Sequence, residues 1–100
     1  MGEENRQTIS LGGNIELNGF QKIDVPRLIV LKKIVGNCAK QMFEKTKNYE
    51  KLIVNLEGDD SNAKIKAELK AGGSSKFGEA KDNNLFVAVD SALKKIIGQI

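Results

Sequence analysis

The stretch Ala63-Lys64-Ile65-Lys66-Ala67-Glu68-Leu69-Lys70-Ala71-Gly72-Gly73-Ser74-Ser75-Lys76 decides the fold. Ala63, Ile65, Ala67, Leu69 and Ala71 occupy every second place, with charged residues between them. A period of two is that of a strand with one face buried and one face wet. Gly72-Gly73-Ser74-Ser75 then reads as a hairpin turn, which returns the chain as a short strand over Lys76–Lys81.

Upstream, Lys51–Glu57 reads as a strand with Leu52, Val54 and Leu56 on one side, closed by the turn Gly58-Asp59-Asp60-Ser61-Asn62. Before it, Asp24 is a suitable N-cap and Pro26 fits a first helical turn, where its missing N–H is harmless. The helix they open is expected to reach about Lys47. Its buried stripe is Leu28, Leu31, Ile34, Val35, Cys38, Met42 and Phe43, while Lys33, Lys40 and Lys47 recur on another face. Gly36 is unfavourable in mid-helix, and close packing is the expected reason for it. Ile9, Leu11, Ile15 and Leu17 share one parity, as in a half-buried strand. Gly12-Gly13-Asn14 interrupts that strand, so a bulge or sharp twist is expected there. Downstream, Asp82 is the expected cap of a last helix carrying Leu85, Val89, Ala92, Leu93 and Ile96, with Gly98 near its end.

The order is β-α-β-β-β-α. The simplest assembly is an α+β fold, a four-stranded sheet with both helices packed on one face. The first two strands should be parallel across the helix, and the rest joined by hairpins. Residues 1–8 are expected to form a disordered tail and residues 9–100 a single domain.

Composition supports a small α+β binding protein. The chain has 100 residues, 40% of them hydrophobic and 5% aromatic, so aliphatic side chains must build the core. The formal charge is +3, and all basic residues except Arg6 and Arg27 are lysine. Lysine suits contact with phosphates, whereas bidentate reading of bases favours arginine. One cysteine, Cys38, cannot form an internal disulfide, which fits a reducing cytoplasm. No apolar run has the length of a membrane span, and the polar start is unlike a signal peptide.

Catalytic constellations are missing, so an enzyme is not expected. There is no histidine, which removes the commonest general base and metal ligand. Cys38 lies on the apolar helix stripe and reads as a buried structural thiol. Asp59-Asp60 lacks the spaced oxygen ligands of a calcium loop and reads as a solvated turn. Gly72–Lys76 lacks the spacing of a phosphate loop and joins two strands, so a plain hairpin is favoured over an anion-contacting loop.

The sharpest functional feature is the row Lys64, Lys66, Lys70 on the open sheet face. Ammonium groups two residues apart stand about 7 Å from one another, a spacing suited to phosphates strung along one nucleic-acid strand. The same row also suits a face kept soluble by lysine. Phe77 has two readings. One register puts it among these lysines, where it could stack on a base; a register shifted at Gly78 buries it, and burial is the favoured expectation.

The stretch from Glu68 to Ile96 resembles the C-terminal half of the ribosome hibernation-promoting factors and their ribosome-associated inhibitor relatives. Those proteins share a Gly-Gly hairpin, a short strand of small residues and an Asp-x-(Leu/Met)-(Tyr/Phe)-x-Ala-(Ile/Val)-Asp segment that opens a final helix. Leu85, Phe86, Ala88, Val89, Asp90, Lys95, Ile96, Gln99 and Ile100 stand at the matching positions, with Asn84 where an acidic residue is often found. Ile9–Leu17 is similar to the family's first strand. The resemblance implies the family's β-α-β-β-β-α fold, which is also like that of double-stranded-RNA-binding domains. It further implies a cytoplasmic factor on the small ribosomal subunit, blocking translation through contacts with rRNA. Its expected RNA-binding residues are Lys33, Lys40, Lys64, Lys66, Lys70, Lys76 and Lys81. No cofactor, metal, membrane or small-molecule substrate is expected, and the oligomeric state stays open. The rival reading is a protein-binding or self-associating module that uses the open sheet or its edge.

Overall fold

The alternating stretch is a strand, and its neighbours pair with it as hairpins. The structure, a computed structural model, describes residues 8–11 (backbone), 14–59 and 61–100. The elements are β1 (Thr8–Leu11), β2 (Ile15–Asn18), α1 (Val25–Lys45), β3 (Tyr49–Asp59), β4 (Asn62–Ala71), β5 (Ser74–Asp82) and α2 (Leu85–Ile97). The sheet order follows the chain, β1-β2-β3-β4-β5. β2 runs parallel to β3 across the α1 crossover, and the other pairs are antiparallel. The expected β-α-β-β-β-α succession therefore stands over β2 to α2.

β1 is an addition to it. The first apolar segment is two strands rather than one interrupted strand: Leu11 pairs with Ile15 and Ile9 with Leu17, so the chain doubles back. Equal parity on the two sides of Gly12-Gly13 fits a reversal as well as a bulge, because pairing residues in a hairpin share a face. Residues 1–7 of the expected tail, and the side chains of Ile9 and Leu11, lie outside the described residues.

One core joins the sheet and both helices. From β2, β3 and β4 come Ile15, Leu17, Leu52, Val54, Leu56, Ala63, Ile65, Ala67 and Leu69. α1 contributes Leu31, Val35, Cys38, Ala39 and Met42, and α2 contributes Leu85, Ala88, Val89, Ala92, Leu93 and Ile96. Both helices thus cover the same sheet face. Each fully buried leucine here, such as Leu31, Leu52 or Leu93, stabilises the fold by about 1.5–3 kcal/mol. Phe20 and Ile23, between β2 and α1, are also buried; isolated in a turn-like segment, they carry no periodic signal.

Three local expectations are corrected. Asp82 does not cap α2, because β5 runs on to it and pairs it with Ala63. Asn84 is the cap, its Oδ1 accepting from the Val87 N–H at 3.2 Å, while Asp82 Oδ1 accepts from the Asn84 N–H at 2.8 Å. Asp24 holds the N-cap position of α1, but its carboxylate pairs with Arg27 Nε at 2.6 Å and makes no cap bond. Phe43 is exposed, its ring edge-on to Tyr49 at 6.0 Å between centroids. No helix among the described residues is long and apolar enough to cross a membrane.

Candidate nucleic-acid interface

The face of the sheet away from the helices carries the expected lysines. Lys64, Lys66 and Lys70 alternate with the buried residues of β4. The register fixes their neighbours: Lys64 stands between Glu57 and Lys81, Lys66 between Asn55 and Glu79, and Lys70 between Lys51 and Ser75. Lys66 is compensated, with Glu57 Oε2 at 3.4 Å and Glu79 Oε2 at 4.0 Å. Lys51 is compensated by Glu16 Oε2 at 2.6 Å. Exposed pairs of this kind contribute at most about 1 kcal/mol each, yet they cancel field at the centre of the face. Lys64, Lys70 and Lys81 form no ion pair among the described residues. Two like-charged pairs lie directly opposite, Lys64 with Lys81 and Lys51 with Lys70, an arrangement that costs stability. The open face is therefore cationic at its two ends and neutral between them.

Phe77 lies on this face, opposite Glu68, and is 63% exposed. The expected burial is wrong, and the reason is the turn. Gly72 and Gly73 have φ of 58° and 81°, the backbone of a two-residue hairpin turn. That turn sets Ala71 opposite Ser74 and so places Gly78, not Phe77, against the core.

The outer face of α1 is the second cationic surface. Lys33 and Lys40 are exposed and seven residues apart, nearly two full turns, so they share one side. Lys32 is exposed beside them, and Glu44 is the only acidic residue of the helix. Lys47 leaves this stripe, because α1 ends at Lys45 and Thr46 is already extended. Gly36 is not there for packing: a Cβ on it would meet nothing within 4 Å.

Lys76 belongs to neither face. Opposite Leu69 in the register, it turns to the helix side of the sheet. There it meets Lys45 and Lys47 around a cleft of about 290 Å³ at the hairpin end of the molecule. Sequence reasoning joins Lys76 to the RNA-contacting set but misses Lys45, whose meeting with Lys76 depends on tertiary packing alone.

The remaining polar features are structural. The Gly72 N–H donates to the Asn48 carbonyl at 2.9 Å and the Gly73 N–H to Glu50 Oε2 at 3.1 Å, so the turn's glycine amides are occupied. Asp59 Oδ1 accepts from the Ser61 N–H and hydroxyl, both at 3.0 Å, which holds its carboxyl below the usual range. Asp60 lies outside the described residues. Cys38 is buried, and burial, with the nearby Asp90 charge adding to it, pushes its thiol up. Among the described residues no three metal-ligating side chains converge.

No protein-family model matches the chain, and no curated protein is similar to it in sequence. Solved structures are similar to it in fold. A ribosomal subunit interface protein from Coxiella burnetii superposes with a TM-score of 0.57 at 18% identity, over 86% of this chain and 89% of that one. The N-terminal domain of Protein Y from Thermus thermophilus superposes with a TM-score of 0.59 at 16% identity, over 91% of this chain and 94% of that one. The chain shares the fold of these two structures, the β-α-β-β-β-α fold that the resemblance at Glu68–Ile96 implies.

Proposed function

We propose that this protein is a ribosome-associated, RNA-binding factor of the hibernation type, which occupies the small ribosomal subunit and inhibits translation. The observation that carries this reading is the pairing of that fold with cations on both broad faces. The molecule is a slab with Cα extents of 33 × 33 × 20 Å. Lys33 and Lys40 project from one broad side and Lys64, Lys70 and Lys81 from the other. A slab so charged suits a channel walled by RNA, where phosphates approach from both sides. Lys66 contributes less, because Glu57 and Glu79 already hold it.

Co-sedimentation with small ribosomal subunits tests the assignment. The double variants Lys33→Glu/Lys40→Glu and Lys64→Glu/Lys70→Glu alter exposed or half-exposed positions and should keep the fold. Each should weaken binding markedly; binding unchanged in both would overturn the assignment of these faces.

A second reading has its own observation. Phe77 is exposed on the open sheet opposite Glu68, with half-buried Ile53 on the far side of Glu68, in a field of mixed charge. That combination suits a protein partner, and its binding would persist as salt rises, where phosphate contact would not.

A further inference from the structure

We propose that the cleft ringed by Lys45, Lys47 and Lys76 is a phosphate-binding site, separate from the two broad faces. Three elements bring these lysines together. Lys45 closes the last turn of α1, Lys47 follows its extended cap, and Lys76 stands on the helix side of β5. Thr46 and Ser74 add hydroxyls to the rim, Ala71, Gln99 and Ile100 complete the lining, and buried Leu69 lies beneath it. No acidic side chain lines the cleft, and none of the three lysines forms an ion pair among the described residues.

Three lysines lining one concavity, with no acidic side chain among them, raise the local potential, because low-dielectric walls focus the field. Only Lys45 has an evident structural use, at the negative end of the α1 dipole. Lys47 and Lys76 have none, and an anion held in the cleft would offset their like charge. The space of about 290 Å³ is that of roughly ten waters. It admits a phosphate with part of the sugar or base that bears it, the latter against Ala71 and Ile100. The chemistry is thus a nucleotide phosphate, supplied either by an RNA backbone or by a free nucleotide. The site does not depend on the ribosome reading, since neither broad face contributes to it.

Amide chemical shifts of the full chain, followed at low salt, test the proposal with two probes: adenosine triphosphate and a short single-stranded oligouridylate. The expected result is saturable shifts centred on Lys45–Lys47 and Ser74–Lys76. Lys45→Ala/Lys47→Ala/Lys76→Ala should weaken that binding by at least about tenfold, while Lys22→Ala, at an exposed lysine outside the cleft and both broad faces, leaves it unchanged. Response to the oligonucleotide alone identifies an RNA backbone as the source; response to the free nucleotide identifies a small ligand. No saturable shift at these amides with either probe, or shifts unaltered in the triple variant, would overturn the proposal. Neither result bears on binding to ribosomal subunits, which is measured separately.

Discussion

Gln99 Nε2 donates to the Phe77 carbonyl at 2.7 Å, tying the residue just beyond α2 to the last strand of the sheet. Counted from the two-residue turn, pairs 71/74 and 69/76 exchange ladder bonds, so Phe77 and Glu79 direct theirs away from β4. These are edge groups, open to pairing with another chain. Gln99 covers the first carbonyl, and Lys95 Nζ donates to the second. Gln99 also donates to the Lys95 carbonyl at 3.1 Å. The α2 C-terminus thus guards the β5 edge. Gln99→Ala should lower stability by about 0.5–1.5 kcal/mol in urea unfolding. Lys95→Ala/Gln99→Ala should in addition promote self-association, measured by light scattering. A double variant that stays as monodisperse as the parent would contradict the guarding role.

Gly78 sets how closely α2 lies on β5. A Cβ there would run into the Ala92 carbonyl oxygen and come within 3.1 Å of Ile96 Cγ1. Backbone cannot step aside as a flexible side chain would, so Gly78→Ala should destabilise the fold by about 1–3 kcal/mol. The midpoint of thermal or urea unfolding reports this. An unchanged midpoint would show that α2 can ride up on the sheet without cost.

Gly36 is the opposite case. Its surroundings are open, so Gly36→Ala should stabilise the protein by about 0.5–1 kcal/mol through helix propensity. A loss of stability on urea unfolding would mean that this part of α1 is crowded rather than open.

Burial pushes up both the Cys38 thiol and the Tyr49 phenol. A raised value means that the native state keeps a proton which the unfolded chain gives up, so stability falls as pH rises. The loss should begin near the ordinary values of 9.0 for the thiol and 10.0 for the phenol. Urea midpoints measured between pH 8 and pH 10.5 should therefore decline, and Cys38→Ala should flatten the early part of that decline. A flat profile in the parent protein would contradict burial of both groups.

Much of this architecture is legible in the residues because β4 alternates without a break from Ala63 to Ala71. That alternation by itself places Lys64, Lys66 and Lys70 on one face. β5 offers no such pattern, since only Gly78 along it is fully buried, and a glycine carries no hydrophobic signal. Its register comes from Gly72-Gly73 instead, so apolar patterning alone misplaces Phe77. The compensation of Lys66 depends on Glu57 and Glu79, brought near by strand register rather than by sequence spacing. The lysine cleft is less legible still. Lys45 and Lys76 lie on separate elements, and only the packing of α1 and β5 around the end of the core brings them together.

The proposed binding of ribosomal RNA by the cationic faces can be measured on ribosomal particles. The most direct test is sedimentation of the purified protein with isolated small subunits across a salt series. Stoichiometric binding is expected at low salt, weakening steeply and log-linearly as salt rises, as phosphate contacts require. Absence of binding even at low salt, or binding indifferent to salt, would contradict it and direct attention to a protein partner on the Phe77 face.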